Sequence, residues 1–250
     1  MFKSLLKIFL CILPFFFVYL FIANWSIFYR LEAAGLPASD YQHRYLLPEE
    51  ISSSSSFIVY SALGDSLTAG TGVSDYQQSF PYRIAQKLAD EKLAVKHLNY
   101  SYPGARTSDI IKDLLGPAIQ EQPDVVTILI GINDVYGNVG RQNFAANYEL
   151  IISSLQQETE AKINIISIPL LGSDSLFLPP LNYYYRFRIQ AFNKIIKNIA
   201  TQHNLNYIDL TTPTASFAPD GDSYYAVDNF HPSAAAYELW SQIIYDHLTR

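Results

Sequence analysis

A single cysteine, Cys11, excludes any disulfide within the chain, so redox chemistry gives no hint of the compartment. Charge is scarce too, at 16% of 250 residues, partly because one apolar stretch dilutes it. No basic cluster is present. Residues 1–30 hold Lys3, Lys7 and Arg30 and no acid, which leaves 14 basic against 23 acidic residues in the remainder. That balance argues against attraction to nucleic acid or to anionic lipid headgroups. No internal repeat and no metal-ligand spacing is visible. Apolar residues, by contrast, make up 49% of the chain, enough for one sizeable core in one domain.

The first apolar run is unbroken from Ile8 to Ala23, with Lys3 and Lys7 ahead of it and Trp25, Phe28, Tyr29 and Arg30 behind. From Leu5 to Tyr29 it exceeds the roughly 20 residues that a helix needs to cross a bilayer. Aromatic residues at its far edge suit a membrane–water interface. Cleavage as a signal peptide would use Ala33-Ala34-Gly35, well downstream of the apolar core. A lipoprotein signal would want a small residue before Cys11, where Leu10 stands. An uncleaved signal anchor over residues 1–30 meets neither objection. The two lysines predict the N-terminus inside and the rest of the chain outside, as a single-pass membrane protein, or as a secreted one if cleavage occurs. Residues 31–56, with Pro37, Pro48 and the run Ser52 to Ser56, read as a stalk.

From Phe57 onward, short β-rich runs alternate with amphipathic stretches. Strands are expected at 57–63, 95–100, 125–130, 163–168 and 206–209, and helices at 81–92, 108–120, 144–160, 181–202 and 233–248. This alternation predicts a parallel sheet of five strands covered by helices on both faces, over residues 57–250. In such sheets, sites form at the carboxyl ends of the strands.

Gly64-Asp65-Ser66 follows the first strand directly. A serine opening a helix there has its N–H where an oxyanion is favoured; Asp65 and Ser66 would equally serve as helix caps. A nucleophilic serine needs a base. Of five histidines, two have an aspartate three residues earlier, Asp40…His43 and Asp228…His231. The first pair lies in the stalk. The second follows the last strand, where its loop can sit beside the one carrying Ser66. Asp228 can then orient the ring and leave the other nitrogen to take the serine proton. Packing or surface roles are expected for His43, His97, His203 and His247. Gly104, after the second strand, can present its N–H, and Asn133, after the third, offers an amide donor. Each alone would pass for a turn residue; together they fill every role of an acyl-transfer site.

These residues resemble the motif blocks of the SGNH hydrolases, or GDSL esterases/lipases. The blocks read Gly64-Asp65-Ser66-Leu67-Thr68-Ala69-Gly70, Tyr102-Pro103-Gly104-Ala105-Arg106-Thr107, Gly131-Ile132-Asn133-Asp134 and Asp228-Asn229-Phe230-His231-Pro232. Their order holds over roughly 57–248. The resemblance implies a flavodoxin-like three-layer α/β/α fold without metal or cofactor. It implies Ser66 as nucleophile, His231 as base and then acid, and Asp228 as the orienting carboxylate. The N–H groups of Ser66 and Gly104 and the Asn133 side chain would form the oxyanion hole, while Asp65 and Asp134 would be structural. The second block departs from the family in having Arg106 and Thr107 where more glycine is usual. With its N-terminal segment, the chain is similar to membrane-anchored or secreted bacterial lipases/acylhydrolases.

The expected reaction is hydrolysis of carboxylic esters through an acyl-Ser66 intermediate. Leu170 to Tyr185, rich in aromatics, lies at the catalytic edge and could line an acyl pocket, stack on a sugar, or pack the following helix onto the sheet. A lipid-like ester is the favoured substrate, and a cell-envelope carbohydrate O-acetyl group is the alternative. An acyltransferase would share the first half-reaction. A rival of another class is a non-catalytic surface binding protein on the same scaffold. Oligomeric state is not legible.

Overall fold

The structure, a computed structural model, describes residues 2–33, 43–48, 57–90, 94–173, 175–215 and 224–249. In chain order the first elements are α1 (Phe2–Ala33), β1 (Arg44–Leu47), β2 (Ile58–Gly64), α2 (Phe80–Asp90) and β3 (Val95–Ser101). Then come α3 (Thr107–Asp109), a π-helical turn (Ile110–Leu114), α4 (Leu115–Gln120), β4 (Val125–Leu129), α5 (Ile132–Tyr136) and α6 (Arg141–Glu158). The chain ends with β5 (Lys162–Ile166), α7 (Leu181–Gln202), β6 (Asn206–Ile208), α8 (Thr211–Thr214) and α9 (Ala234–Leu248).

All strands among the described residues form one sheet in the order β1-β3-β2-β4-β5-β6. Strands β2 to β6 are parallel. Being covered on both faces, they read as continuous apolar runs rather than alternating ones; β2 is buried from Val59 onward. On one face α2 packs with α9, where Trp240 is fully buried against Phe80 and Tyr237. On the other, α6 packs with α4 and α7, and the rings of Phe144 and Phe192 meet at 4.4 Å. This is the expected three-layer α/β/α fold.

Among the described residues the sheet has six strands rather than five. The sixth, β1, comes from the segment read as a stalk and pairs antiparallel with β3, Arg44 opposite Leu98 and Leu47 opposite Val95. Four residues are too few to carry a strand signal. Only Leu47 among them is buried, and it gains that burial only once β3 exists. The rest of that segment, 34–42 and 49–56, lies outside the described residues.

The order places β2 between β3 and β4, so the chain leaves β2 to one side for β3 and returns past it to β4. That reversal opens a crevice at the carboxyl end of β2, where open α/β sheets hold their ligands. Ser66 stands two residues past the end of β2.

Candidate active site

The backbone after β2 does not enter a helix at Ser66, as the sequence suggested. Residues 66–72 form a tight turn, and the next α-helix begins at Phe80. Asp65 builds the turn. Its carbonyl accepts from the N–H of Thr68 and Ala69, and its Oδ1 accepts from the N–H of Leu67 at 3.0 Å. The preceding Gly64 is required by close approach, since a β-carbon there would collide with the Thr68 side chain and the Leu129 carbonyl. Asp65 is wholly buried, with Oδ2 lacking a partner. Burial pushes its carboxyl up to about 7, against the Leu67 N–H and with help from the nearby Asp134 charge.

Residues 224–233, just ahead of α9, come to the same edge. Their end is pinned by a bridge between Tyr225 and Pro232 and by Ser233, whose Oγ caps α9 by accepting from the Ala236 N–H. Asp228 Oδ1 accepts from the N–H of both Phe230 and His231, at 3.0 Å each. Its Oδ2 lies 2.5 Å from His231 Nδ1, and His231 Nε2 lies 3.0 Å from Ser66 Oγ. The structure thus joins Ser66, His231 and Asp228 in one hydrogen-bonded chain across 165 residues of sequence. Burial raises the Asp228 pKa, but the hydrogen bond and charge of His231 and the two N–H groups outweigh it and hold the carboxyl below its ordinary value. An ionised Asp228 only accepts, so Nδ1 carries the proton and Nε2 faces Ser66 as the acceptor.

Gly104 and Asn133 arrive from the ends of β3 and β4. Gly104 sits at φ +82°, a left-handed conformation that favours glycine, and a β-carbon there would point into open space. Asn133 lies in the first turn of α5, and its side-chain amide donates to the Ala105 carbonyl at 3.0 Å. That bond uses one of two N–H groups and couples the Asn133 amide to the Gly104 loop. Asp134, next to it, accepts from the Thr107 N–H at 3.0 Å and from Thr107 Oγ1 at 2.7 Å, which ties the same two loops together. Burial raises its carboxyl despite those bonds.

Ser66, Gly104, Asn133 and His231 all line one cavity of about 200 Å³. Its other walls are mostly apolar: Pro103, Tyr136, Phe177, Tyr185 and Phe230, with Ile27 and the amide-bearing Asn24 from α1. The Tyr136 and Phe177 rings stack at 5.4 Å. Within the aromatic segment from Leu170 to Tyr185, Phe177 lines the cavity and also packs into the core, while Leu178, Tyr183 and Tyr184 are exposed. Sequence reasoning missed Tyr136 and Phe230. Their signal was proximity, since Tyr136 is one helical turn past Asn133 and Phe230 adjoins His231. It also missed Ile27 and Asn24, which nothing in an apolar membrane-type segment marks as part of a site.

The other histidines serve packing. His43 stacks on Tyr76 at 3.9 Å, and His97 is buried beneath it. His203 ends α7 and meets Glu149, and His247 bonds the Ile243 carbonyl within α9. Among the described residues, no group of three or more His, Cys, Asp or Glu is placed to hold a metal ion.

The family model of the GDSL-like lipases/acylhydrolases matches residues 62–239. The chain belongs to this family. The spore germination lipase LipC of Bacillus licheniformis is 26% identical over 201 residues, spanning 73% of this chain and 92% of that protein. Esterase TesA of Pseudomonas aeruginosa is 28% identical over 179 residues, spanning 70% of this chain and 79% of that protein. The crystal structure of a lipase/acylhydrolase from Enterococcus faecalis is similar with a TM-score of 0.64 at 27% identity, covering 77% of this chain and 95% of that one. As a member of the GDSL, or SGNH, family, the chain is a carboxylic ester hydrolase.

Proposed function

We propose that this hydrolase works through an acyl-Ser66 intermediate on lipid-like acyl esters, from a domain tethered outside the membrane by α1. The observation that carries the chemistry is the chain Ser66–His231–Asp228 opening on an apolar cavity. Ser66 Oγ attacks the ester carbonyl as His231 Nε2 takes its proton. Asp228 holds the imidazolium by accepting from Nδ1. The N–H groups of Ser66 and Gly104 and the second N–H of Asn133 receive the oxyanion. His231 then protonates the departing alcohol. Water attacks the acyl-enzyme, gives its proton to the same nitrogen, and the acid leaves with Ser66 restored.

The apolar lining favours an acyl chain over a sugar. The tether reading rests on Leu10–Ile27, a helix apolar and long enough to cross a bilayer. Most of that stretch is exposed, with Phe15, Phe17, Phe21 and Trp25 each more than half so, as suits a lipid solvent better than water. The proposed division is anchor 1–30, stalk 31–56 and hydrolase domain 57–250, with β1 joining the sheet from within the stalk.

A fluorophosphonate probe should label Ser66 in the folded protein, and Ser66→Ala should lose both labelling and ester cleavage while keeping its thermal transition. Cleavage that survives in the folded variant would remove Ser66 from its role. Aryl esters from acetyl to long acyl chains separate lipase from O-acetyl esterase, because a steep fall with chain length counts against the acyl pocket.

A further inference from the structure

The helix that carries the membrane signal also forms part of the catalytic cavity. Its last turns dock on the carboxyl edge of the sheet. Tyr19 donates its hydroxyl to the Pro179 carbonyl at 2.7 Å, and Ala23 and Ile27, one turn apart, are buried. Asn24 and Ile27 line the cavity that holds Ser66.

A second cavity, of about 600 Å³ and open to the outside, lies along the same helix. Its walls include Leu20 and Phe21 from α1 and Leu181 and Tyr184 from the start of α7, and it shares Asn24 and Tyr185 with the first. The two together make a groove between α1 and α7. Leu20 and Ile27 mark its ends, about 10 Å apart along the helix axis. One end is at the catalytic serine. The other adjoins the part of α1 where Leu10, Ile12, Phe15, Phe16, Phe17 and Val18 are exposed. Tyr184 of the groove wall and its chain neighbours Leu178, Tyr183 and Phe187 are also exposed. Large apolar groups grouped in this way mark a surface that contacts something other than water, and tyrosine suits the bilayer interface.

We propose that the acyl chain of a lipid ester in the same bilayer reaches Ser66 laterally, along the groove between α1 and Tyr184, without passing through water. The inference rests on the hydrolase and tether readings above. A helix that enters the bilayer with its earlier turns and lines the active site with its last ones holds the serine at the interface. An acyl chain sliding from lipid into the groove exchanges one apolar surface for another, whereas the aqueous route exposes every methylene.

The test uses the full chain reconstituted into phosphatidylcholine vesicles. A long-chain fluorogenic ester is embedded either in the same vesicles or in separate ones, and a soluble aryl acetate is measured in parallel. Lateral entry predicts turnover at least tenfold faster for ester in the same vesicles. Tyr184→Asp, which sets a charge in the groove wall, should lower the ratio of embedded-ester to acetate turnover at least tenfold. Tyr184→Leu loses the hydrogen bond to Asn138 but keeps the wall apolar, and should hold that ratio within twofold. Equal rates for the two vesicle arrangements, or an unchanged ratio in Tyr184→Asp, overturn lateral entry while leaving the hydrolase reading in place. Wild-type protein inert on both embedded ester and acetate overturns the hydrolase reading and lateral entry together. Protein extracted from membranes by alkaline carbonate overturns the tether reading and lateral entry together.

Discussion

Two histidines in this molecule make nearly the same pair of hydrogen bonds, and only one stands in the candidate site. His97 has Nδ1 at 3.4 Å from the Tyr60 carbonyl and Nε2 at 2.8 Å from the Tyr76 hydroxyl. His231 has Nδ1 against Asp228 and Nε2 at 3.0 Å from the Ser66 hydroxyl. In both, Nδ1 donates to an oxygen and Nε2 accepts from a hydroxyl. The two differ in how well their surroundings hold the protonated ring. His97 is 0% exposed among stacked tyrosines, and burial lowers its pKa to about 3 despite the bond to Tyr60. A proton taken there has no counter-charge. His231 keeps 14% of its side chain exposed, onto the cavity, and has an ionised carboxylate behind it. A histidine–hydroxyl pair becomes a proton-transfer device only with a carboxylate to hold the imidazolium and a cavity to admit substrate.

Breaking that difference at Asp228 should have the largest effect. In Asp228→Asn an amide N–H can face Nδ1, which drives the ring proton to Nε2 and blocks proton removal from Ser66. Turnover of an aryl ester should fall about 10⁴-fold with folding preserved; a loss under tenfold would show that the carboxylate is dispensable. Asn133→Ala leaves the proton path intact and removes one oxyanion donor, so kcat should fall about 10²-fold or more with little change in labelling of Ser66 at saturation. At the other histidine, Tyr76→Phe leaves Nε2 of His97 without its donor in the core. Urea unfolding should show a loss of about 1–3 kcal/mol, with esterase activity per folded molecule unchanged. Lost activity at full folding would mean the two histidines are coupled.

The smallest effects should be read in pH. Asp65 titrates near 7 when folded and near 3.8 when not, so the native state holds its proton more tightly. Its contribution to stability is complete below about 4 and is lost as pH rises through 7. His97 works in the opposite sense, since its folded pKa is depressed from 6.5 to about 3, and it destabilises the protein as pH falls through that window. Asp65→Asn should therefore flatten the decline of melting temperature between pH 4 and 8 relative to wild type, and leave the acid limb unchanged. A parallel decline in the variant would place Asp65 outside the titrating set.

Much of the fold and site is legible in the sequence alone. The parallel sheet shows itself as apolar runs because its strands are buried on both faces, and Leu181–Gln202 is the helix that its pattern predicts. Asp228…His231 can be preferred over Asp40…His43 because a loop at the carboxyl edge of the sheet can reach Ser66. The turn after Ser66 reads as a helix in sequence because its decisive bonds come from the Asp65 carbonyl and carboxylate, and helix caps are made of the same residue types. Strand β1 escapes such a reading because edge pairing with β3, rather than its own four residues, makes it a strand.

By itself the sequence determined the layering, the place of the five parallel strands to within two residues and the residues able to act as nucleophile, base and donors, because burial period and chemical type are local properties. Tertiary structure decided that His97 is enclosed among tyrosines and that His231 meets Asp228, Ser66 and a cavity, because partners and solvent access depend on residues far apart in the chain. It also decided that Ile27, apolar like its neighbours in α1, lines the cavity that holds Ser66, because docking of that helix on the sheet edge is a contact that no single segment specifies.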